Sequence, residues 1–169
     1  MIAGIEKLKG VLMIHPDKIE TIRDETILFL RKTGSYAKSP NEAWRGMREF
    51  IASSKLNVEA LRFLGIWLDN PRATPEDQLR YDAAIVAATI KGKGDVGEKA
   101  LKGGKCAVFT HKGRYAHLDK TFTQIYMKWL PVSNEKLDET RECFCEYFNM
   151  ENLKTNPQSL ITKIYIPIL

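Results

Sequence analysis

The organisation of the chain is clearest in the stretch Cys143-Phe144-Cys145-Glu146-Tyr147-Phe148-Asn149. Aromatic residues and cysteines alternate here without an interrupting glycine or proline, which predicts a β-strand. Because the side chains of a strand alternate between its faces, Cys143, Cys145 and Tyr147 share one face. This small, polarizable and aromatic set is suited to line a ligand pocket. We expect a core face with one charge at its edge on the other side, formed by Phe144, Glu146 and Phe148.

An earlier strand is predicted around Gly65-Ile66-Trp67-Leu68-Asp69. We expect it to form the opposite wall of the same pocket, with Trp67 and Tyr147 as its main aromatic residues. Core packing is the competing interpretation for both side chains. Asp82, on a later strand, is expected to be exposed or paired with a nearby basic residue.

Two helices are predicted. The first begins at Ser39-Pro40-Asn41-Glu42, where Ser39 is the expected N-cap, Pro40 suits the first helical position and Glu42 completes a capping box. It extends to about Ser53 and carries an apolar face that includes Ala43, Met47, Phe50 and Ile51. The second helix is predicted from Leu118 to Leu130, where Pro131 ends it.

Further strands are predicted within 19–32, at 60–68, 79–90, 105–110 and 160–169. The segment Lys91 to Gly104 is rich in glycine and lysine, and it predicts a mobile, solvated basic loop between two halves of the chain.

Both halves then have the order strand, helix, strand, strand. Thr33-Gly34-Ser35-Tyr36-Ala37 corresponds to Lys112-Gly113-Arg114-Tyr115-Ala116, and Trp67 corresponds to Tyr147. The pattern indicates an internal duplication. It predicts an α+β fold of two pseudo-symmetric units that form an antiparallel sheet assembly with two main helices and a central cleft. The predicted repeats cover about 19–92 and 104–169, and residues 1–18 are an N-terminal extension of unknown structure.

Composition is ordinary for a globular protein, with 169 residues, 44% hydrophobic and 28% charged. No apolar run is long enough to span a bilayer, and the N-terminus is a poor signal peptide, so we expect a cytoplasmic protein without a membrane partner. The net charge of +5 is weak evidence for nucleic-acid binding.

Three cysteines are too few and odd in number for a disulfide framework. Cys143 and Cys145 share a strand face, but a zinc site needs about four ligands, and the three histidines have no ligand spacing. We therefore predict buried, inert thiols and no metal or cofactor.

Together the motifs resemble the GyrI-like family of small-molecule-binding domains over about 19–169. That family includes DNA gyrase inhibitors and the effector-binding domains of AraC-type and multidrug-responsive MerR-type regulators. The residues that carry the resemblance are Gly65-Ile66-Trp67-Leu68-Asp69-Asn70-Pro71, Thr74-Pro75, Leu79-Arg80-Tyr81-Asp82, Phe109-x-His111-x-Gly113-x-Tyr115, Tyr126-x-x-Trp129-Leu130-Pro131, Cys143-Phe144, Tyr147-Phe148-Asn149 and Ile164-Tyr165-Ile166-Pro167.

The resemblance implies a hydrophobic, aromatic-walled cleft that accepts varied organic ligands, often cations. The leading interpretation is a stand-alone protein that binds a drug, effector or xenobiotic without catalysis, so no catalytic residue is assigned. Two alternatives stay open: a hydrolase acting on cyclopropane-type DNA alkylators, and a DNA gyrase inhibitor acting by protein binding. The implied partners are a hydrophobic organic molecule, and DNA gyrase or a transcription regulator in trans. Direct DNA binding is not expected, because about eighteen N-terminal residues cannot hold a helix-turn-helix.

One position departs from the family pattern. The family has a glutamate directly after the Cys-Phe pair, whereas this chain has Cys145 there and Glu146 one residue later. Either Glu146 faces away from the pocket, which we favour, or a bulge rotates it back. The predicted ligand-binding residues are Trp67, Cys145, Tyr147, Tyr36, Tyr115, His111 and Glu146.

Overall fold

The computed structural model describes residues 6–8, 11–87 and 89–169. The chain forms two compact units. The internal unit comprises Arg23–Gly103 and Glu142–Glu146, and the terminal unit comprises the described parts of Met1–Ile22 with Gly104–Arg141 and Tyr147–Leu169. Each unit combines antiparallel strands with one main helix, so the predicted α+β class is confirmed.

The described residues form ten strands and two α-helices. The strands are β1 (Glu6–Leu8), β2 (Val11–Met13), β3 (Lys18–Ile22), β4 (Glu25–Thr33), β5 (Phe63–Trp67), β6 (Arg80–Val86), β7 (Val96–Leu101), β8 (Gly104–Lys112), β9 (Cys143–Phe148) and β10 (Ile161–Pro167). The helices are α1 (Ser39–Ser53) and α2 (Leu118–Gln124). None of the helices in the described ranges is long and apolar enough to cross a membrane.

In the internal unit the strand order is β5-β6-β4-β7, and the residues of β9 that belong to this unit lie beside β5. Helix α1 packs on the sheet through the apolar face that the sequence predicts. The fit is close at Gly46, where an added Cβ would lie 2.6 Å from Leu30 Cδ1. At the start of the helix the Trp44 indole donates a hydrogen bond to the Tyr81 hydroxyl at 2.9 Å.

The start of α1 differs from the prediction. Ser39 is the first helical residue rather than the N-cap, and its buried hydroxyl has no hydrogen-bond partner in the described part of the chain. Backbone carbonyls explain the difference, because they already bind both N–H groups that a capping box would satisfy: the Ser39 N–H donates to the Ser35 carbonyl at 2.8 Å, and the Glu42 N–H donates to the Lys38 carbonyl at 3.2 Å. No side-chain cap is therefore needed there, and the predicted capping box is wrong.

The segment predicted to be a mobile loop contains strand β7, which pairs with β4 along its whole length. Val96 and Leu101 are buried at its ends. Gly97 permits a close approach, since a Cβ there would lie 3.0 Å from Phe29 Cε1. Lys99 is not a solvated loop residue but is 19% exposed and ion-paired. Glycine and lysine favour loops locally, and here tertiary pairing overrides that preference.

In the terminal unit the strand order is β3-β8-β10, followed by the last two residues of β9. The ring of Phe109, on β8, meets Trp129 edge-to-face at 5.0 Å. The second helix is shorter than predicted: α2 ends at Gln124, a π-helical turn covers Ile125–Trp129, and Pro131 lies in a final 3-10 turn. Three apolar side chains of the predicted helix, those of Leu118, Ile125 and Trp129, are buried.

Other boundaries also change. The strand predicted at 60–68 is β5 alone, preceded by a 3-10 turn at Val58–Ala60, and the strand predicted at 79–90 is β6. Strand β3 was not separated from β4 in the sequence, although it pairs with β8 from Lys18 to Ile22. Phe148, expected on a core face, is exposed at the end of β9, where Lys163 lies 5.4 Å from its ring centre.

Asn149 fixes the connection from β9 to β10. Its backbone is left-handed, at φ 44° and ψ 41°. Its side-chain nitrogen Nδ2 donates to the Ser159 carbonyl at 2.8 Å, and its side-chain oxygen accepts from the Ile161 N–H at 2.9 Å. Asparagine is among the few residues that tolerate this conformation while also supplying a donor and an acceptor.

We predict that Asn149→Ala lowers the free energy of unfolding by about 1–3 kcal/mol, because it loses both hydrogen bonds and strains the left-handed backbone. Asn149→Gly is the matched control, since it loses the same bonds but accepts the backbone conformation and should lose less. Urea unfolding at neutral pH measures both. An alanine variant that unfolds at the wild-type midpoint would contradict the prediction.

Candidate ligand-binding site

The internal unit contains a cluster of three aromatic rings. Trp67, the last residue of β5, meets Tyr36 edge-to-face at 4.9 Å and Tyr81 at 4.9 Å. Trp67 and Tyr81 are register partners of β5 and β6, so their side chains lie on one sheet face. Tyr36 reaches them from the turn after β4. Two of the predicted ligand-binding residues, Tyr36 and Trp67, are therefore in direct contact.

The hydroxyl of Tyr36 is used inside the fold. It accepts from the Asp69 N–H at 3.1 Å and lies within donating distance of the Asp69 and Arg80 carbonyl oxygens, at 3.0 and 3.1 Å. Burial raises the pKa of Tyr36 to about 12, so the phenol is neutral at physiological pH. Asp69 also binds the Arg80 guanidinium, which lowers the pKa of that carboxyl. The hydroxyl of Tyr36 is therefore committed to the fold, and only its ring is not engaged in hydrogen bonds.

Cys145 lies beside this cluster. It is fully buried, and burial raises the pKa of its thiol well above the ordinary value, while the nearby Cys143 sulfur acts in the same direction. The neighbouring Trp67 side chain acts in the opposite direction and is the smaller effect. The thiol is thus neutral and a poor nucleophile, because the thiolate is the reactive form.

Glu146 is engaged elsewhere. Arg62 Nε lies 2.7 Å from Glu146 Oε1, and Arg62 Nη2 lies 3.1 Å from Oε2, a bidentate ion pair. Arg62 also binds Glu25, and hydrogen bonding to Glu146 is the main cause that raises the pKa of Arg62. The Glu146 side chain is 8% exposed. Since neighbouring strand residues point to opposite faces, this pairing places Glu146 away from the face on which Cys145 meets Trp67.

A second ion-pair group holds the start of β9. Lys99 Nζ lies 2.7 Å from Glu142 and 2.9 Å from Asp82. Asp82 is completely buried and also receives a bidentate pair from Arg31, at 2.7 and 2.9 Å. The expectation that Asp82 is paired with a basic residue is therefore confirmed. Sequence reasoning missed the partners, because their separation along the chain gives no local signal.

In the terminal unit Tyr115 and Tyr147 form an edge-to-face pair at 5.2 Å. His111 is buried and occupied at both ring nitrogens: Nε2 lies 3.0 Å from the Arg114 carbonyl, and Nδ1 lies 2.7 Å from the Thr121 hydroxyl. A carbonyl can only accept, so Nε2 carries the proton and Nδ1 accepts from Thr121. Burial lowers the pKa of His111, which keeps the imidazole neutral.

The structure thus brings Tyr36, Trp67 and Cys145 together in the internal unit, and Tyr115 with Tyr147 in the terminal unit. His111 is bound to its own neighbours, and Glu146 to Arg62. Within residues 6–8, 11–87 and 89–169, no group of three or more histidine, cysteine or acidic side chains is arranged to hold a metal ion.

Several known proteins are similar to this chain in sequence or in fold. The probable transcriptional regulator YgiV of Escherichia coli O157:H7 is 29% identical over 113 residues, which is 66% of this chain and 69% of that protein. An EcmrR chain in an EcmrR–DNA complex superposes with a TM-score of 0.72 at 13% identity, covering 89% of this chain and 56% of its own length. SAV2435 bound to tetraphenylphosphonium superposes with a TM-score of 0.58 at 13% identity, over 90% of this chain and 93% of that one.

At these identities the two structures show a shared fold, and this chain spans little more than half of the EcmrR chain. A family model gives the stronger result, because it matches most of the sequence, from residue 17 to residue 169. That model describes the GyrI-like small molecule binding domain, and this chain belongs to the GyrI-like family.

Proposed function

We propose that this protein binds neutral, hydrophobic, aromatic organic molecules and does not convert them. The proposed ligand-binding groups are the rings of Trp67 and Tyr36 with the neutral thiol of Cys145 in the internal unit, and the rings of Tyr115 and Tyr147 in the terminal unit. One observation carries the proposal: the carboxylate closest in sequence to the family's glutamate position is neutralised by Arg62.

Neutral lining argues against a strong cation preference. A cation in an apolar site gains about 0.5–2 kcal/mol from aromatic faces, and a buried carboxylate adds to this. Beside Trp67 this chain has Cys145, whose raised pKa keeps it uncharged. SAV2435 was crystallised with a lipophilic cation. We infer that this chain retains the contribution of aromatic rings to cation binding and has lost the contribution of a carboxylate.

Binding without turnover is favoured over hydrolysis by the state of the candidate catalytic groups. Hydrolysis needs a nucleophile or a general base within reach of the substrate. The raised pKa of Cys145 disfavours a thiolate, both nitrogens of His111 are hydrogen-bonded within the terminal unit, and Glu146 is ion-paired. The kinship with the probable regulator YgiV supports a role as an effector-binding protein, with a transcription regulator in trans, or DNA gyrase, as its protein partner.

We predict that 1-methylnaphthalene and its cationic isostere 1-methylquinolinium bind with Kd values that differ by less than about 30-fold in favour of the cation. Fluorescence titration or calorimetry measures both. Glu146→Gln should leave the ratio unchanged, because that carboxylate does not reach the ligand. A much larger cation advantage that disappears in Glu146→Gln would contradict the proposed neutral site.

The same titration tests whether Trp67 contacts the ligand. Trp67→Phe should weaken binding of both probes, whereas Trp129→Phe, the matched change at the Phe109 contact, should lower stability without changing affinity. Failure of both probes to bind the wild type would overturn the proposed function.

Another prediction concerns Cys145→Glu, a variant that places a carboxylate where the family has its glutamate. Cys145→Glu buries an acid without a partner, so the empty variant should melt below Cys145→Gln, its uncharged control of similar size. Desolvation should raise the pKa of the new carboxyl, so melting is measured at pH 8, where more of it is ionised. 1-Methylquinolinium should then raise the melting temperature of Cys145→Glu more than that of the glutamine variant. Equal ligand shifts would show that position 145 does not face the ligand.

A further inference from the structure

The terminal unit contains two buried hydroxyl groups that the fold does not use. Thr162, on β10, is completely buried, and the hydroxyl oxygen of Tyr115 is buried although its ring is partly exposed. Neither oxygen has a hydrogen-bond partner in the part of the chain that the structure describes. Buried hydroxyls are nearly always bonded, because leaving one unpaired is destabilising. Two in one unit therefore need an explanation.

Both residues are neighbours of His111 in the terminal unit. Thr162 is the register partner of His111 in the β8–β10 pair, so their side chains lie on the same sheet face. The His111 imidazole binds the carbonyl of Arg114, which directly precedes Tyr115. The Gly113 N–H donates to the Leu160 carbonyl at 2.8 Å, which joins the turn before Tyr115 to the residue before β10.

The corresponding turn of the internal unit shows that the unused hydroxyl is particular to Tyr115. Gly34 and Gly113 both have positive φ, at 133° and 123°, and each donates its N–H to the residue before a following strand, Leu79 or Leu160. Two residues later, Tyr36 uses its hydroxyl fully, whereas Tyr115 does not. The ring of Tyr115 packs on Tyr147, a predicted ligand-binding residue.

We propose that the hydroxyls of Tyr115 and Thr162 form the polar subsite of the ligand site, which binds a neutral hydrogen-bonding group, such as a hydroxyl or carbonyl, on an otherwise aromatic ligand. This inference rests on the proposed function and specifies the ligand class. Each hydroxyl can donate one hydrogen bond and accept another, so an uncharged group satisfies them. Burial raises the pKa of Tyr115 to about 12, which keeps its proton available as a donor. His111 does not compete, since both of its nitrogens are occupied.

The test compares 1-naphthol with 1-methylnaphthalene, which differ in that a hydroxyl group replaces the methyl group. Wild type should bind 1-naphthol about three- to tenfold more tightly. Tyr115→Phe and Thr162→Val each remove a hydroxyl with little change of shape, and each should reduce that preference, because the affinity for 1-naphthol falls relative to that for 1-methylnaphthalene.

Thermal melting without ligand gives a second readout that a purely structural hydroxyl would not produce. Removing an unpaired buried hydroxyl should leave the melting temperature unchanged or raise it. The matched controls are Tyr36→Phe and Thr121→Val, which break existing hydrogen bonds and should lower it.

The outcomes separate this inference from the proposed function. Equal binding of both probes by the wild type, or a preference that survives both substitutions, would overturn the polar subsite alone. If Tyr115→Phe and Thr162→Val lower the melting temperature as much as their controls do, the hydroxyls are structural. That result would also overturn the polar subsite. If neither probe binds the wild type, the proposed function fails and the subsite fails with it.

Discussion

The ion pair between Glu146 and Arg62 is the interaction on which the arrangement of strand β9 beside Trp67 depends. A strand has a side-chain period of two, so the position of Glu146 determines the direction of Cys145. With Glu146 fixed by two hydrogen bonds to Arg62, Cys145 meets Trp67 on the other face. A slip of one residue would bring the carboxylate to Trp67 and leave Arg62 without its bidentate partner. The pair thus opposes the alternative register.

The hydroxyls near the two aromatic groups differ in their bonding, although Ser39 in the internal unit also has a buried hydroxyl without a partner in the described residues. Around Trp67, the hydroxyls of Tyr36 and Tyr81 are bonded to other groups of the fold, which leaves aromatic rings and a neutral thiol there. In the terminal unit, two buried hydroxyls are left over. Unpaired buried groups reduce stability, and they are retained in proteins mainly where function needs them. This difference supports the proposed polar subsite at Tyr115 and Thr162.

Several elements could be predicted from the sequence because their signals are local. The alternation over Cys143–Phe148 gave strand β9, and the apolar spacing over 39–53 gave helix α1 with the correct buried face. Other elements depend on distant partners and were missed. Strand β7 has the composition of a loop, and it is a strand because its backbone pairs with β4. At Gly97 the missing side chain leaves space for the ring of Phe29. The expected cap at Ser39 failed because backbone carbonyls already bind the Ser39 and Glu42 N–H groups that a capping box would satisfy.

The sequence by itself determined the α+β class, the family, the candidate aromatic residues, and the replacement of the family's glutamate by Cys145, because these follow from periodicity and residue identity. Tertiary structure decided which of these side chains are available to a ligand. Arg62 and Glu146 lie 84 positions apart, and Arg31 and Asp82 lie 51 positions apart, so only folding brings them together. Charge neutralisation, burial and unpaired hydroxyls are properties of such distant pairs, and the order of residues along a strand does not contain them.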